Sequence, residues 1–84
     1  MKDKKGWHFT DYEFDELYDA YLTVVFEYKG KEYRLSCEGD QALYDVETME
    51  KLWHFTNKEE FYSGIIFGRP IKDVIDDSYM LVLG

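Results

Sequence analysis

The sequence predicts an α+β fold, a small single domain with a mostly antiparallel sheet and two or three short helices. Three observations carry this. Stretches rich in β-branched and aromatic residues are joined by short Gly-containing turns, as at Lys29-Gly30. Two Thr-x-x-Glu patterns each open a stretch where a helix is expected. Most strands follow one another directly, which favours antiparallel pairing between neighbours. With 84 residues there is room for one domain over 1–84 and one modest core.

The elements follow in order. Residues 1–5, with Lys2, Lys4 and Lys5, read as a basic N-terminal tail. Trp7-His8-Phe9 reads as a strand leading into Thr10-x-x-Glu13, a capping box in which Thr accepts from the N3 amide and Glu from the cap amide. Phe9 and Phe14 then stand at the two positions of a hydrophobic staple. Phe14, Leu17, Tyr18, Tyr21 and Leu22 follow helical spacing, which predicts a short helix from about Asp11 to Asp19. Thr23 to Tyr28 reads as a strand, Lys29-Gly30 as a tight turn, and Lys31 to Glu38 as the return strand with Tyr33, Leu35 and Cys37 on one face. After the turn Glu38-Gly39-Asp40, a second hairpin joins Ala42-Leu43-Tyr44 to Lys51–Phe55. A short helix follows Thr56 with Phe61 inward. Pro70 suits the first position of a last helix that buries Ile71, Val74 and Ile75. Met80 to Leu83 is a terminal apolar strand, and the candidate open edge.

The chain also echoes itself. Trp7-His8-Phe9-Thr10 recurs as Trp53-His54-Phe55-Thr56, with Glu13 and Glu59 each three residues after the Thr. Asp19–Val25 is repeated loosely by Asp77–Leu83. A degenerate duplication and convergence on the same local physics both produce this pattern. Read as a pair, the echoes predict that Thr10 and Thr56 both cap helices.

Composition excludes several classes. Hydrophobic residues at 45% and aromatics at 19% argue against disorder. One Cys and two His build neither a disulfide framework nor a Cys/His zinc site. Leu22–Phe26 and Met80–Leu83 are too short to span a membrane, and Met1–Lys5 leads into Trp7-His8-Phe9-Thr10-Asp11 instead of an apolar signal region. The expectation is a cytoplasmic protein with no cofactor and no metal.

Catalytic patterns are weak. Cys37 alternates with Tyr33 and Leu35, as a buried thiol would. His8 and His54 sit between Trp and Phe on strands, expected at the surface, and a His–carboxylate hydrolase is the minor alternative. Asp11-x-Glu13-x-Asp15 begins like a calcium loop, but Glu16 and Leu22 stand where Gly and Glu are needed. Gly64–Gly68 lacks the Lys-Ser/Thr of a phosphate loop. No catalytic residue is assigned.

Charge says more. Eighteen Asp and Glu oppose ten Lys and Arg, for a net charge of −8. No Lys or Arg lies between Gly6 and Tyr28 or in Leu35–Glu50. Asp11, Asp15 and Asp19 repeat at helical spacing, where like charges cost roughly 0.2–0.5 kcal/mol per pair, and Asp76-Asp77 ends the last helix against its dipole. Such repeated costs suggest a negative field kept for a purpose. Nucleic acid would be repelled by it, whereas a basic protein surface would be attracted, with Tyr and Trp as anchors. The candidate partner-binding residues are Asp11, Asp15, Glu16, Asp19, Glu38, Asp40, Asp45 and Glu47.

Through Asp11-Tyr12-Glu13-Phe14-Asp15-Glu16 and Glu38 to Glu50, the chain resembles in size and charge the small acidic phage-borne inhibitors, anti-CRISPR proteins and DNA mimics, with nuclease-immunity proteins a related comparison. The resemblance implies a non-enzymatic inhibitor that occupies the nucleic-acid-binding surface of a partner such as a CRISPR effector or nuclease. The alternative is a regulatory or structural interaction domain, homodimeric through a strand edge, whose acidity serves solubility.

Overall fold

A computed structural model describes residues 6–83; the basic tail read at residues 1–5 lies outside them. The elements are β1 (Trp7–His8), α1 (Asp11–Asp19), β2 (Thr23–Tyr28), β3 (Lys31–Ser36), β4 (Ala42–Asp45), β5 (Lys51–His54), α2 (Lys58–Tyr62), β6 (Ile65–Ile66), β7 (Arg69–Pro70), α3 (Ile71–Asp76) and β8 (Tyr79–Leu83). Six strands form one antiparallel sheet in the order β1-β8-β2-β3-β4-β5, and β6 pairs with β7 as a separate hairpin. This is the expected α+β architecture.

The helices share one core with one face of the sheet. Phe14 and Leu17 of α1, Phe61 of α2 and Ile71, Val74 and Ile75 of α3 are buried with Val24, Phe26, Leu35, Leu43 and Met80. Cross-strand register places Val24, Leu35, Leu43 and Trp53 in one row on that face. Thr23, Val25, Arg34, Tyr44 and His54 alternate to the face without helices.

The first helix is as the sequence reads. The Glu13 amide donates to Thr10 Oγ1 at 3.1 Å, and the Thr10 amide donates to Glu13 Oε1 at 3.0 Å, closing the capping box. Phe9 and Phe14 are both buried, with Phe26 and Phe61 as their ring partners. The stripe departs from expectation at Tyr21, which is exposed and has φ 55°. The Leu22 amide donates to the Leu17 carbonyl and the Tyr21 amide to that of Tyr18, the double bond of a Schellman stop with Tyr21 in its left-handed position.

The second copy of the echo is a correction. Asn57, not Thr56, caps α2: its Oδ1 accepts from the Glu60 amide at 2.8 Å. Glu60, not Glu59, reaches back, accepting from the Thr56 amide and hydroxyl at 2.8 and 2.9 Å. The pattern slides by one residue because Asn is at least as good a cap as Thr and Glu60 can then stand at N3.

Two further differences concern the C-terminal third. Phe67 and Gly68, with φ 55° and 75°, form a two-residue turn between β6 and β7, the same backbone geometry as Lys29-Gly30 at 52° and 82°. The sequence reading missed this hairpin, and Pro70 consequently precedes α3 as its cap residue instead of opening it. The terminal strand is also not the sheet edge. Met80 pairs with Trp7 on one side and Phe26 on the other, so β8 lies between β1 and β2. β1 and β2 therefore run parallel, with α1 as the crossover of a split β-α-β unit. Among the described residues the longer edge left open is β5.

Candidate partner-binding surface

The aspartates of α1 are exposed but paired within the chain. Asp11 Oδ1 accepts from Lys72 Nζ of α3 at 2.7 Å, and the same ammonium reaches Asp76 at 3.2 Å. Asp19 accepts from Lys58 of α2 at 2.8 Å, and Asp15 from the Tyr62 hydroxyl at 2.9 Å. The Lys72 hydrogen bond and charge hold the Asp11 carboxyl below its ordinary range, while the same bond raises Lys72. Glu16 interacts with the Tyr12 hydroxyl and pushes its pKa up. The row at Asp11, Asp15 and Asp19 thus faces lysines and a phenol brought from residues far along the chain. Arg69 meets Asp77 at 2.7 Å in the same way. The costs that sequence alone assigns to Asp11–Asp19 and Asp76-Asp77 are offset by these pairs.

The second group divides. Glu38 and Asp40 lie beyond the Ser36↔Ala42 end of the β3–β4 ladder, and Asp45 and Glu47 at the Tyr33↔Asp45 end. Asp40 accepts from the Tyr44 hydroxyl and lies 3.5 Å from Lys51; the Tyr44 bond is the main cause lowering its pKa. Asp45 is buried and structural. It pairs with Lys31 at 2.9 Å and accepts from the Glu47 and Thr48 amides at 2.8 and 3.3 Å, which folds the loop into β5. Its pKa is lowered, first by the Lys31 bond. Glu38 and Glu47 are exposed, and their carboxylates form no hydrogen bond or ion pair among the described residues.

Five cations, Lys31, Lys51, Lys58, Arg69 and Lys72, are held by carboxylates. Lys29 and Arg34 lie over the rings of Tyr28 and Tyr44. Glu32, Glu50, Glu59 and Asp73, like Glu38 and Glu47, are exposed and lack a cation within ion-pairing distance among the described residues. Glu32 and Glu47 line one cleft beside Lys31. The sequence windows contain Glu38, Glu47 and Glu50, but nothing in them marks which acids the fold neutralises.

The histidines do not meet. His8 is on β1 and His54 on β5, opposite edges of the six-stranded sheet and roughly 24 Å apart at strand spacing. His8 packs on Tyr79 with ring centroids 4.2 Å apart. Cys37 is fully buried, and burial pushes its thiol up to about 12. Among the described residues no three His, Cys, Asp or Glu side chains are grouped to hold a metal ion, and no helix is long and apolar enough to cross a membrane.

An apolar cavity of about 290 Å³ lies at the open edge, lined by Leu43, Leu52, Trp53, Ile65, Ile66 and Phe67. Sequence reading missed it because its walls come from β4, β5 and the unrecognised β6–β7 hairpin. The signal was present in Gly64-Ile65-Ile66-Phe67-Gly68, whose three consecutive large apolar residues need cover. Comparison with protein-family models, curated proteins and solved structures finds no match.

Proposed function

We propose that the protein is a non-enzymatic binding module that attaches to a basic surface of another protein, of the kind that holds nucleic acid, and competes with that nucleic acid. In its narrower form the partner is a CRISPR effector or a nuclease, as the resemblance to small acidic inhibitors implies. The carrying observation is the division of charge. Among the described residues five cations are paired with the chain's own carboxylates, while Glu32, Glu38, Glu47 and Glu50 are exposed with no described cation within ion-pairing distance, on a chain with net charge −8. Unpaired surface carboxylates steer a basic partner and accelerate encounter.

The test is association kinetics with purified CRISPR effectors and nucleases, with and without their nucleic acid. Association should slow as salt rises, since exposed charges are screened beyond about 8 Å at physiological ionic strength. Nucleic acid should compete, and Glu38→Lys with Glu47→Lys should weaken binding without disturbing the fold. Reversing Asp15, Glu16 and Asp19 is a poorer test, because it also breaks the Tyr62 and Lys58 contacts. Salt-independent affinity, or no competition, would sink the proposal.

A further inference from the structure

We infer that the open edge of β5 is a docking site for an extended segment of a partner protein, one that carries a single bulky apolar side chain flanked by Lys or Arg. The inference rests on the protein-binding reading above and names its point of attachment.

Backbone geometry supplies the first element. Among the described residues β5 pairs with β4 alone. The Phe55 amide donates to the Gln41 carbonyl, so the alternation of an antiparallel ladder turns the N–H and C=O of His54 the other way, toward the open edge. An added strand can pair there, as extended peptides do at exposed sheet edges.

Register supplies the second. The row Val24–Leu35–Leu43–Trp53 ends at β5. A residue of an added strand opposite Trp53 falls on the same face, over the cavity walled by Leu52, Ile65 and Phe67, each at least 40% exposed. The opposing wall is fixed: a Cβ at Gly64 would lie 2.3 Å from the Trp53 ring, so hairpin backbone and indole are in direct contact. At about 290 Å³ the cavity falls just below the roughly 300–1,000 Å³ typical of small-molecule pockets, and suits one side chain.

Charge supplies the third and chooses the occupant. Glu47 and Glu50 stand in the loop that enters β5, and Asp40 and Glu60 are close enough to His54 to interact with it electrostatically. Lys51 is the strand's own cation, and Asp40 already faces it. A second copy of this chain, also at −8, would bring acids against acids, whereas Lys or Arg beside the apolar anchor meets them with opposite charge.

The probe is a panel of hexapeptides of the form Lys-Val-Lys-X-Lys-Val, with X as Phe, Leu, Ile or Met, titrated into the full chain and followed by amide and indole NMR signals. At least one member should shift the Leu52–His54 amides and the Trp53 indole. Its affinity should fall about tenfold or more when X becomes Ala, or when Ile65→Asp places a charge on the cavity's exposed lip. If no member shifts β5, or if the shifts cluster on α1, the edge site is wrong, even where binding through Glu38 and Glu47 persists. If β5 signals shift instead with protein concentration alone, the edge pairs with a second copy and the partner assignment is overturned.

Discussion

The slipped echo at Thr56 makes a sharp test of how side chains set helix starts. Three alanine variants are needed. Thr10→Ala removes the acceptor for the Glu13 amide, while Glu13 keeps its bonds to the Thr10 amide at 3.0 Å and the Trp7 indole at 3.2 Å. One cap bond is therefore lost and the reciprocal one survives, which places the expected cost near 1 kcal/mol, mid-range of the roughly 0.5–2 kcal/mol for such caps. Asn57→Ala removes the corresponding acceptor for the Glu60 amide and should cost about as much. Thr56→Ala removes only an exposed hydroxyl donor, because the Thr56 amide still reaches Glu60, and should stay within about 0.5 kcal/mol. For a domain of this size 1 kcal/mol is about 4–8 °C in Tm, or about 1 M in urea midpoint at a slope near 1 kcal/mol/M. Urea unfolding followed by Trp fluorescence and circular dichroism reads all three. The reasoning fails if Thr56→Ala lowers the midpoint as much as Asn57→Ala, since α2 would then start where the echo puts it. A Thr10→Ala midpoint equal to wild type would remove the capping box.

Other outcomes follow from burial and titration. Cys37 should resist a thiol reagent in the native protein at neutral pH and react on unfolding, because burial holds its pKa up to about 12; Cys37→Ala should keep partner binding and cost roughly 1 kcal/mol, and rapid native labelling with loss of binding would contradict this. The Tyr62 phenol is raised to about 12, by desolvation first and then by its bond to Asp15. Because the folded value exceeds the unfolded one, its contribution to stability is complete below the ordinary value of 10.0 and is lost as pH climbs through about 12. Ultraviolet titration of Tyr62→Phe should therefore lose a phenol from the high-pH end of the curve, and an unchanged curve there would refute the assignment.

Local physics was legible where it was decided within a few residues. The Thr10–Glu13 box, the Lys29-Gly30 turn and the alternation of Tyr33, Leu35 and Cys37 each need only neighbours along the chain, and each stands as read. The misplacements share a different cause. Thr56 and Asn57 are adjacent competent caps, and no short-range rule ranks them. Met80 to Leu83 looks like an edge because it comes last in sequence, yet a split β-α-β unit opens a slot between β1 and β2 that only the finished sheet reveals. Phe67-Gly68 has the same turn chemistry as Lys29-Gly30, but two-residue strands give too little alternation to detect. The charge pattern was misread for the same reason. Asp11 and Lys72 are separated by 61 positions and Asp19 and Lys58 by 39, so no window of the few residues over which local patterns are read contains both members.

That separation changes what an acidic chain of this kind presents to a partner. A row of carboxylates on one helix would act as a continuous polyanion, attractive to any array of lysines and insensitive to register. Here α1 gives up Asp11, Asp15 and Asp19 to hold α2 and α3 in place, and the open carboxylates stand apart, Glu38 at one end of the β3–β4 ladder and Glu32 and Glu47 at the other. Separate charges steer an approach but fix little, because each exposed pair contributes only about 0–1 kcal/mol. On the proposed reading, residence on a partner then needs buried apolar contact, which dominates the hot spots of interfaces. The edge of β5, with Trp53 and the β6–β7 hairpin beside Glu47 and Glu50, is where this fold puts both together. Two kinetic signatures should consequently separate: reversing Glu38 and Glu47 slows association and flattens its salt dependence, whereas Ile65→Asp leaves association nearly unchanged and speeds dissociation. If Ile65→Asp slowed only association, the cavity would be acting through charge alone and not as an anchor.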